Sequence, residues 1–271
     1  MKLSAIVHVK NGEKYIYENI KSLKHALRNI ESEILVSDNC STDNTIDIIK
    51  KNFPSVNIIN SFSERSQQVN DAVKMAKGKY IYLTAADILY NHVYFDEAIN
   101  LCENNNFDGV FTSVITAKQD TIIDKIKAHE RELYIGDDFH ETARFLNKKA
   151  FESIGGYNKE LIAGEDYDFQ RRFNEARYKT GRVNTYAEKH LDEEVGWSGV
   201  YKRSYYMGKS LPNFFRENKI KGVIQMSPFR KNYLNKKAIS KPFLLLGIFV
   251  YKFVQIIGAF FGIIDFYVNK K

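Results

Sequence analysis

The chain alternates short apolar runs with amphipathic helical patterns, and this alternation restricts its fold more than any other feature. Apolar runs rich in β-branched and aromatic residues predict strands at 3–9, 33–37, 56–60, 80–84 and 108–115, with weaker candidates at 143–147 and 182–187. Helical patterns fall at 13–28, 44–52, 66–76, 95–104 and 166–177. Strands that alternate with helices form βαβ units, so the sequence predicts an α/β domain with a mainly parallel sheet.

Composition and charge narrow the class of protein. The chain has 271 residues, of which 44% are hydrophobic, so it is long and apolar enough to bury a full core. Its formal net charge of +7 is uneven, because the lysines and arginines between 202 and 241 are opposed by a single acid, Glu217. Such a basic segment attracts the phosphates of a nucleotide, a lipid headgroup or a nucleic acid. Cys40 and Cys102 have neither metal-binding nor disulfide spacing, which favours a reducing compartment.

The C-terminal segment 242–268 is almost wholly apolar. Its stretch 243–264 is long enough to cross a bilayer, which takes about 20 residues, and Lys252 costs only roughly 2.5–3.5 kcal/mol there. Gly258 and Gly262 allow a second interpretation, two short helices lying in the membrane interface. A third is a hydrophobic helix packed on the domain or on a second subunit, so a homo-oligomer stays open. With the basic segment before it, the tail favours the cytoplasmic face of the cell membrane.

The N-terminal apolar run 3–9 is too short for a signal peptide, and no small-residue cleavage site follows it. It predicts a buried first strand instead.

Two of the predicted strands lead into an aspartate. Asp38 follows the run 34–36, and Asp87 follows the run 80–84 after two alanines. Because the carboxyl ends of parallel strands form the crevice where open α/β sheets bind ligands, both carboxylates are expected there. Asp38 can accept hydrogen bonds from a base or a ribose, and Asp87 with a diphosphate and water can hold Mg²⁺ or Mn²⁺. The structural alternative for Asp87 is a turn, and for Asp43 it is helix capping, which we favour.

A second acidic segment, Gly164-Glu165-Asp166, opens a predicted helix. The structural interpretation is that acids are favourable beside the positive end of the helix dipole. The functional interpretation makes Asp166 a general base that takes the proton of an acceptor hydroxyl. His190 is a candidate metal ligand or phosphate contact, although a lone histidine is more often structural.

Four segments of the chain occur in a distinctive order. Residues 9–13, Val-Lys-Asn-Gly-Glu, are similar to a Tyr-Asn-x-Glu-like opening, and 37–45 are similar to Asp-Asp-Gly-Ser-Thr-Asp-Gly-Thr. Residues 70–81 resemble the stretch that leads into an Asp-x-Asp metal motif, and 151–157 followed by 164–166 resemble an acceptor-side segment with a Glu-Asp motif. In this combination, residues 3–200 resemble a family 2 glycosyltransferase with the GT-A fold.

The resemblance implies a fold, a reaction and a set of site residues. The fold is a GT-A-type α/β domain, to which this chain adds a hydrophobic C-terminal helical element. In the implied reaction, which inverts the sugar, the acceptor oxygen displaces the nucleotide diphosphate in one in-line step, assisted by Mn²⁺ or Mg²⁺. Asp38 would hold the nucleotide base. The other implied residues are the catalytic Glu165 and Asp166, the metal-binding Asp87 and His190, and the nucleotide-binding Val9, Asn11, Glu13, Asn39, Arg65, Asn70 and Ala86.

Several positions depart from the family pattern. Ala85 stands at the first acid of Asp-x-Asp, which leaves Asp87 as the one carboxylate of that motif. Asn39 and Cys40 replace an acid and a glycine, and Lys10 replaces the aromatic residue that often stacks on the base. The sequence also has no Gln-x-x-Arg-Trp segment, which marks the processive polymer synthases, so addition of a single sugar is favoured.

Three basic and aromatic residues follow His190 closely, namely Arg203, Tyr206 and Lys209. A solvated basic helix face would explain them structurally. The functional interpretation is a flap that becomes ordered over the diphosphate when nucleotide binds.

The sequence therefore predicts four parts: a nucleotide-sugar-binding half (1–105), an acceptor and catalytic half (106–200), a basic linker and flap (201–241), and a membrane-associated helical segment (242–268). The predicted function is transfer of a sugar from a nucleotide-sugar donor to a hydroxyl or phosphate acceptor, on a lipid-linked or cell-surface glycan. An alternative is a catalytically impaired relative that binds nucleotide sugar without transferring it, which would explain Ala85. A membrane-anchored nucleic-acid binder would explain the basic segment but lacks any known aromatic-basic motif, so no nucleic-acid partner is expected.

Overall fold

The computed structural model describes residues 1–117, 119–137, 139–191, 196–225 and 230–269. Its strands are β1 (Leu3–Val9), β2 (Ser32–Asp38), β3 (Asn57–Asn60), β4 (Tyr80–Ala85), β5 (Ile88–Tyr90), β6 (Gly109–Phe111), β7 (Val114–Thr116), β8 (Ala143–Asn147), β9 (Thr180–Gly181) and β10 (Glu188–His190). Its α-helices are α1 (Ile16–Ala26), α2 (Thr45–Asn52), α3 (Arg65–Met75), α4 (His92–Asn104), α5 (Ile122–Tyr134), α6 (Lys148–Ser153), α7 (Glu165–Glu175), α8 (Trp197–Gly208), α9 (Leu211–Gln225), α10 (Lys236–Ile239) and α11 (Pro242–Val268).

A seven-stranded sheet forms the centre of the fold, in the order β3-β2-β1-β4-β8-β6-β9. Strands β3, β2, β1 and β4 are mutually parallel, whereas β8 runs antiparallel to both β4 and β6. The predicted strands 3–9, 33–37 and 80–84 lie in the central strands β1, β2 and β4. Strands covered on both faces have continuous apolar sequences, and these three strands follow that rule.

Side chains alternate between the two faces of this sheet, and each face has its own helical cover. Val7 and Tyr82 point into a core with α1, α2 and α4, in which Phe95 is fully buried. Ile6 and its neighbours on the other face pack against α3, α6 and α7, around Phe169. The predicted α/β class, with a mainly parallel sheet and helices on both faces, is confirmed.

Two predicted strands have the wrong bounds. The predicted strand 108–115 is divided into β6 and β7, because Thr112 and Ser113 carry the chain from the large sheet into a second, three-stranded sheet, β5-β10-β7. The predicted strand 182–187 lies between β9 and β10. Its backbone bonds to a loop instead of a neighbouring strand, since the Asn91 amide donates to the Tyr186 carbonyl over 3.1 Å.

The mixed charge and weak periodicity of the segment 119–138 predict a mobile excursion or an acceptor-side loop. This prediction is wrong for most of the described residues of the segment, which are helical. Residues 122–134 form α5, which starts with a capping box: the Thr121 hydroxyl accepts from the Asp124 N–H over 3.1 Å, and the Asp124 carboxylate accepts from the Thr121 N–H over 3.0 Å. The pattern was hard to recognise because Lys127 and Glu130 are on the buried face of this helix. Asp138 lies outside the described residues.

The segment 201–241, predicted as a basic linker, is largely helical in its described part and contains most of α8 together with α9 and α10. It is followed by α11, a single continuous helix of 27 residues, so of the interpretations left open for the tail the one with two short helices is wrong. The helices α5, α8 and α11 share a separate apolar core that includes Ile126, Val200 and Ile248. By length and composition α11 is a candidate membrane span, with a mean hydropathy of 2.0.

Candidate active site

The carboxyl ends of three neighbouring strands place the first group of predicted residues side by side. In the register of the parallel sheet Val9 is opposite Asp38, and His8 is opposite Ala85. The Asn39 N–H donates to the Val9 carbonyl over 2.9 Å, which ties the loop after β2 to the end of β1. Ala86 borders the same loops, because a Cβ on Gly12 would lie 3.4 Å from the Ala86 Cβ.

The loops that follow β1 and β2 are joined by reciprocal hydrogen bonds. The Asn11 side-chain oxygen accepts from the Thr42 N–H over 2.8 Å, and the Glu13 carboxylate accepts from the Asn44 N–H over 3.0 Å. In return the Glu13 N–H donates to the Asp43 carboxylate over 3.0 Å. These bonds fix the floor of the crevice, so Asn11 and Glu13 shape the two loops through their side chains.

Asp43 also accepts from the N–H of Thr45, the first residue of α2, over 3.0 Å. The carboxylate thus binds a free N–H at the start of α2, as capping would, but the N-cap residue is Asn44 and the predicted N-cap position of Asp43 is wrong by one residue.

Asp38 lies beneath these loops with 3% of its surface exposed. Its carboxylate accepts from the Ser41 N–H over 3.0 Å and from the Ser41 hydroxyl over 2.5 Å. Both oxygens thus help to close the turn after β2. Contact with a nucleotide base stays a prediction, and it requires the base to reach a carboxylate that is buried and already bonded to Ser41.

Asp87 and His190 come together from segments about 100 residues apart. The His190 Nε2 lies 3.4 Å from the Asp87 Oδ2, because β10 pairs antiparallel with β5 directly after Asp87. The Leu191 N–H donates to the Asp87 carbonyl over 2.8 Å and holds the two segments in register.

A carboxylate and an imidazole are suitable ligands for a divalent cation that takes its remaining ligands from a diphosphate and water. Within the described ranges no group of three or more His, Cys, Asp or Glu side chains is placed to hold a metal ion. The pair therefore fits Mn²⁺ or Mg²⁺ bound together with a diphosphate and water.

The acidic pair opens α7, as the sequence predicted. Gly164 takes the N-cap position with a φ of 77°, a left-handed conformation that favours glycine, and Glu165 and Asp166 form the first turn. Glu165 is buried and forms an ion pair with Arg65, the first residue of α3. Burial raises the pKa of Glu165 to about 7, although the Arg65 guanidinium acts in the opposite direction.

Asp166 is the more exposed of the two acids. Its Oδ1 accepts from the Tyr167 N–H over 2.9 Å, and its Oδ2 lies 3.5 Å from the Thr142 hydroxyl. It lines a cavity of about 380 Å³, which is closed on the far side by α8, the start of α9, and α11. The other polar lining residues include Arg65, Ser204, Arg230 and Lys252, and the apolar ones include Met207, Leu211, Ile256 and Ala259.

A buried charged network beside these acids was missed in the sequence. Arg144 forms an ion pair with the fully buried Glu188 over 2.8 Å and interacts electrostatically with Asp166 as well. Burial, together with the charges of Arg65 and Arg144, lowers the pKa of His8 to about 3, so this imidazole is neutral. A signal was present, because an arginine inside an otherwise apolar strand requires a partner.

Asn70 is placed differently from the other predicted nucleotide-binding residues. Its amide donates to the Tyr157 carbonyl over 2.8 Å and accepts from the Tyr157 N–H over 2.9 Å. The side chain therefore holds the backbone that leads to α7, which is a structural contact.

The predicted flap residues lie on α8 and its C-cap, and two of them are bonded to other parts of the chain. The Tyr206 hydroxyl donates to the Glu64 carboxylate over 3.2 Å, and Lys209 forms an ion pair with Asp265 over 2.7 Å. Arg203 lines a cavity of about 230 Å³ among α5, α8 and α11. Their role at a diphosphate stays a prediction, and it would require α8 to move.

The site thus combines a mixed sheet, two acidic loop ends and a separate acidic helix start. The family model of glycosyl transferase family 2 matches residues 4–158, more than half of the chain. The chain belongs to this family.

Two curated relatives have sequences similar to this chain. Over 114 residues it is 32% identical to the poly(ribitol-phosphate) beta-N-acetylglucosaminyltransferase TarS of Staphylococcus aureus, a match that covers 40% of this chain and 20% of TarS. Over 265 residues it is 24% identical to the dTDP-rhamnosyl transferase RfbG of Shigella flexneri, covering 88% of this chain and 91% of RfbG. The match to TarS thus spans about a fifth of that protein.

Solved structures share the fold. The mannosyltransferase PcManGT of Pyrobaculum calidifontis, in complex with GDP-Man and Mn²⁺, superimposes with a TM-score of 0.64 over 100% of this chain and 88% of its own, at 13% identity. TarS 1–349 in complex with UDP-GlcNAc gives a TM-score of 0.58 over 92% of this chain and 79% of its own, at 17% identity. The predicted GT-A fold is confirmed.

Proposed function

We propose that this protein is a glycosyltransferase that moves one sugar from a nucleotide-diphospho-sugar to a hydroxyl or phosphate group of a lipid-linked or cell-surface glycan. The observation that carries the proposal is the position of Asp166. Its carboxylate lines a cavity of about 380 Å³ and lies within electrostatic range of Arg144, close to the carboxyl edge of the sheet. A donor at that edge and an acceptor in the cavity would meet at Asp166.

The donor half of this arrangement rests on the loops after β1 and β2. Val9, Asn39 and the buried Asp38 lie together at the carboxyl ends of neighbouring parallel strands, where open α/β sheets usually bind their ligands. The solved structures of TarS and PcManGT are complexes with UDP-GlcNAc and GDP-Man respectively, so the fold accepts different bases.

The chemical step would proceed by in-line displacement. Asp166 accepts the proton of the acceptor hydroxyl as the new bond forms between that oxygen and the anomeric carbon. The bond from the anomeric carbon to the diphosphate oxygen breaks on the opposite face, so the configuration inverts and the nucleoside diphosphate leaves with the electron pair. Arg65 and Arg144 lie near Asp166 and supply positive charge to this side of the site.

Glu165 would act by positioning. Its ion pair with Arg65 fixes the first turn of α7, and with it the adjacent Asp166.

A divalent cation would be held by Asp87 and His190. When bound, it would neutralise the charge that develops on the leaving diphosphate. The solved structure of PcManGT is a complex with Mn²⁺, which makes Mn²⁺ the first ion to test.

The acceptor would be amphipathic and would be used at the cytoplasmic face of the cell membrane. The cavity beside Asp166 combines cations with an apolar wall from α8 and α11, and α11 is long and apolar enough to enter a bilayer. A lipid-linked glycan presents both kinds of surface.

The test is thermal stabilisation of the full chain by UDP, GDP, CMP and dTDP, each with and without Mn²⁺. A nucleotide at 100 times its Kd adds about 2.7 kcal/mol of apparent stability. Stabilisation by one nucleotide that requires Mn²⁺ is the expected result and identifies the donor base. If a nucleotide stabilises the chain equally with and without Mn²⁺, and the matching nucleotide sugar is not turned over, the chain would be a catalytically impaired protein that binds nucleotide sugar without transferring it. No stabilisation by any nucleotide would contradict the proposal.

A further inference from the structure

One face of α11 is bound to the α/β domain, beginning at the N-terminal end of the helix. Lys241, its N-cap residue, forms an ion pair with Glu132 of α5 over 3.3 Å. Near the middle, Lys252 forms an ion pair with the buried Glu130 of α5 over 2.5 Å. The first half of α11 therefore packs across α5, near the C-terminal end of that helix.

The second half of α11 runs parallel to α8 at very short distance. A Cβ on Gly258 would lie 2.6 Å from the Tyr201 carbonyl oxygen, and a Cβ on Gly262 would lie 2.9 Å from the Gly208 Cα. Glycines with small neighbours are what permit helix backbones to approach so closely. The contact ends with the ion pair of Asp265 and Lys209, 2.7 Å long.

The C-terminal end of α8 is itself attached to the α/β domain. The Tyr206 hydroxyl donates to the Glu64 carboxylate before α3, and the Ala163 N–H donates to the Ser210 hydroxyl over 3.0 Å, next to the acidic segment. The far end of α11 is thus held beside the α/β domain through α8, just as its near end is held by α5.

These attachments decide how α11 can meet a bilayer. The distance along the helix from 241 to 265 is about 36 Å at 1.5 Å per residue, which exceeds the roughly 30 Å of a hydrocarbon core. Glu132 marks the start of α11, and Glu64 lies beside its end. If α11 crossed the bilayer, these two residues would lie near opposite surfaces of the membrane, and the charged part of the domain between them would enter the hydrocarbon. Charged groups and irregular backbone are not accommodated against lipid in this way.

The opposite face of α11 is apolar and exposed. Phe243 is 89% exposed, and Leu246 and Phe253 are each 64% exposed. Exposed large side chains on this face form one stripe along the helix: Phe243, Leu246, Phe249, Val250, Phe253, Phe260, Phe261, Ile264 and Tyr267. A stripe of this length is larger than monomeric soluble proteins ordinarily expose.

We propose that α11 lies flat in the headgroup–acyl boundary of one leaflet, with this stripe in the lipid, and does not cross the bilayer. The charge of the neighbouring chain identifies lipid as the occupant, because the basic segment 202–241 contains one acid, Glu217, and complements anionic headgroups. The proposal goes beyond the enzymatic function and does not depend on it, since it concerns only how the chain meets a membrane.

The first experiment locates the two ends of α11 relative to the membrane. In a Cys40→Ser background, Ser240→Cys and Asn269→Cys place single exposed thiols at the two ends of the helix, and the buried Cys102 stays as an internal baseline. Each full-length variant is produced in bacterial cells and treated with a membrane-impermeant maleimide, in spheroplasts and in inside-out vesicles. We expect both thiols to react in inside-out vesicles and neither to react in spheroplasts. Reaction of the two thiols from opposite sides would overturn the proposal.

The second experiment tests what covers the stripe. Phe253→Glu combined with Phe260→Glu should weaken co-sedimentation with phosphatidylcholine–phosphatidylglycerol vesicles at least about tenfold, with an unchanged melting temperature, because both side chains are exposed. The matched control is Met75→Glu, an equally exposed apolar residue on α3, which should bind vesicles like the natural chain. Vesicle binding that is unaffected by the double substitution would overturn the proposal. If, in addition, the natural chain is a dimer in sedimentation velocity and the double variant is a monomer, the stripe would be an interface with a second copy of the chain.

Discussion

Ionisation of Glu165 is expected to make the protein less stable as the pH rises from about 4.5 to 7. Burial raises the pKa of this carboxyl from its ordinary 4.5 to about 7 in the folded chain. Between these two values the folded chain keeps a proton that the unfolded chain has lost, so the free energy of unfolding falls as the pH increases. Because one pKa unit corresponds to about 1.4 kcal/mol, the full loss is about 3 kcal/mol, reached above pH 7.

The change that tests this is Glu165→Gln, which keeps the shape of the side chain and cannot ionise. The difference in unfolding free energy between the natural chain and this variant should change by about 3 kcal/mol between pH 4.5 and 8, with the variant favoured at high pH. The measurement is urea unfolding across this pH range in a mild detergent that covers α11. Taking the difference removes the groups that titrate equally in both proteins.

Arg65 provides a second test of the same reasoning. Its guanidinium acts against burial and holds the pKa of Glu165 lower than burial alone would. Arg65→Met should therefore raise that pKa further and extend the loss of stability to higher pH. Glu160→Gln, at an exposed position in the preceding loop, is the control and should leave the profile unchanged. A difference between the natural chain and Glu165→Gln that does not vary with pH would refute the burial argument.

The remaining predictions concern the chemistry and the packing of the tail. Asp166→Asn should lower sugar transfer by about 10²–10⁴-fold in an assay of nucleoside diphosphate release. The control is Asp96→Asn, at an exposed position on α4, which should keep the activity of the natural chain. Equal activity of the two variants would exclude Asp166 as the base. Asp87→Asn together with His190→Gln should abolish the part of nucleotide stabilisation that requires Mn²⁺ and keep the remainder, as read by thermal shift. Gly258→Leu should destabilise the chain by about 2 kcal/mol or more, because its Cβ would lie 2.6 Å from a backbone oxygen of the facing helix; an unchanged urea midpoint would disprove the close contact.

Local sequence patterns were sufficient for the centre of the fold. The strands that lie in β1, β2 and β4 are continuous apolar runs, and their burial on both faces follows from that composition alone. The aspartates beyond two of these strands could be placed at one edge because parallel strands end together. The same reasoning located the acidic start of α7, since a glycine followed by two acids is a local helix signal.

Elements that bury charged side chains could not be predicted from the sequence pattern. The helix α5 buries Lys127 and Glu130, so its apolar face was interrupted and the helix was missed. Arg144 and Glu188 are 44 residues apart in the chain, and only the packing of β8 against the second sheet brings them within 2.8 Å.

The sequence by itself determined the α/β class, the family and the chemical character of the candidate site, because these depend on residue type and on spacing within single elements. Only the tertiary structure decided which charges are paired, which acid faces a cavity, and that both ends of α11 are held against the same domain. Contacts such as Lys252 with Glu130 and Lys209 with Asp265 join residues that are far apart in the chain. No local pattern encodes these distances, since they are set by how whole helices pack on the sheet.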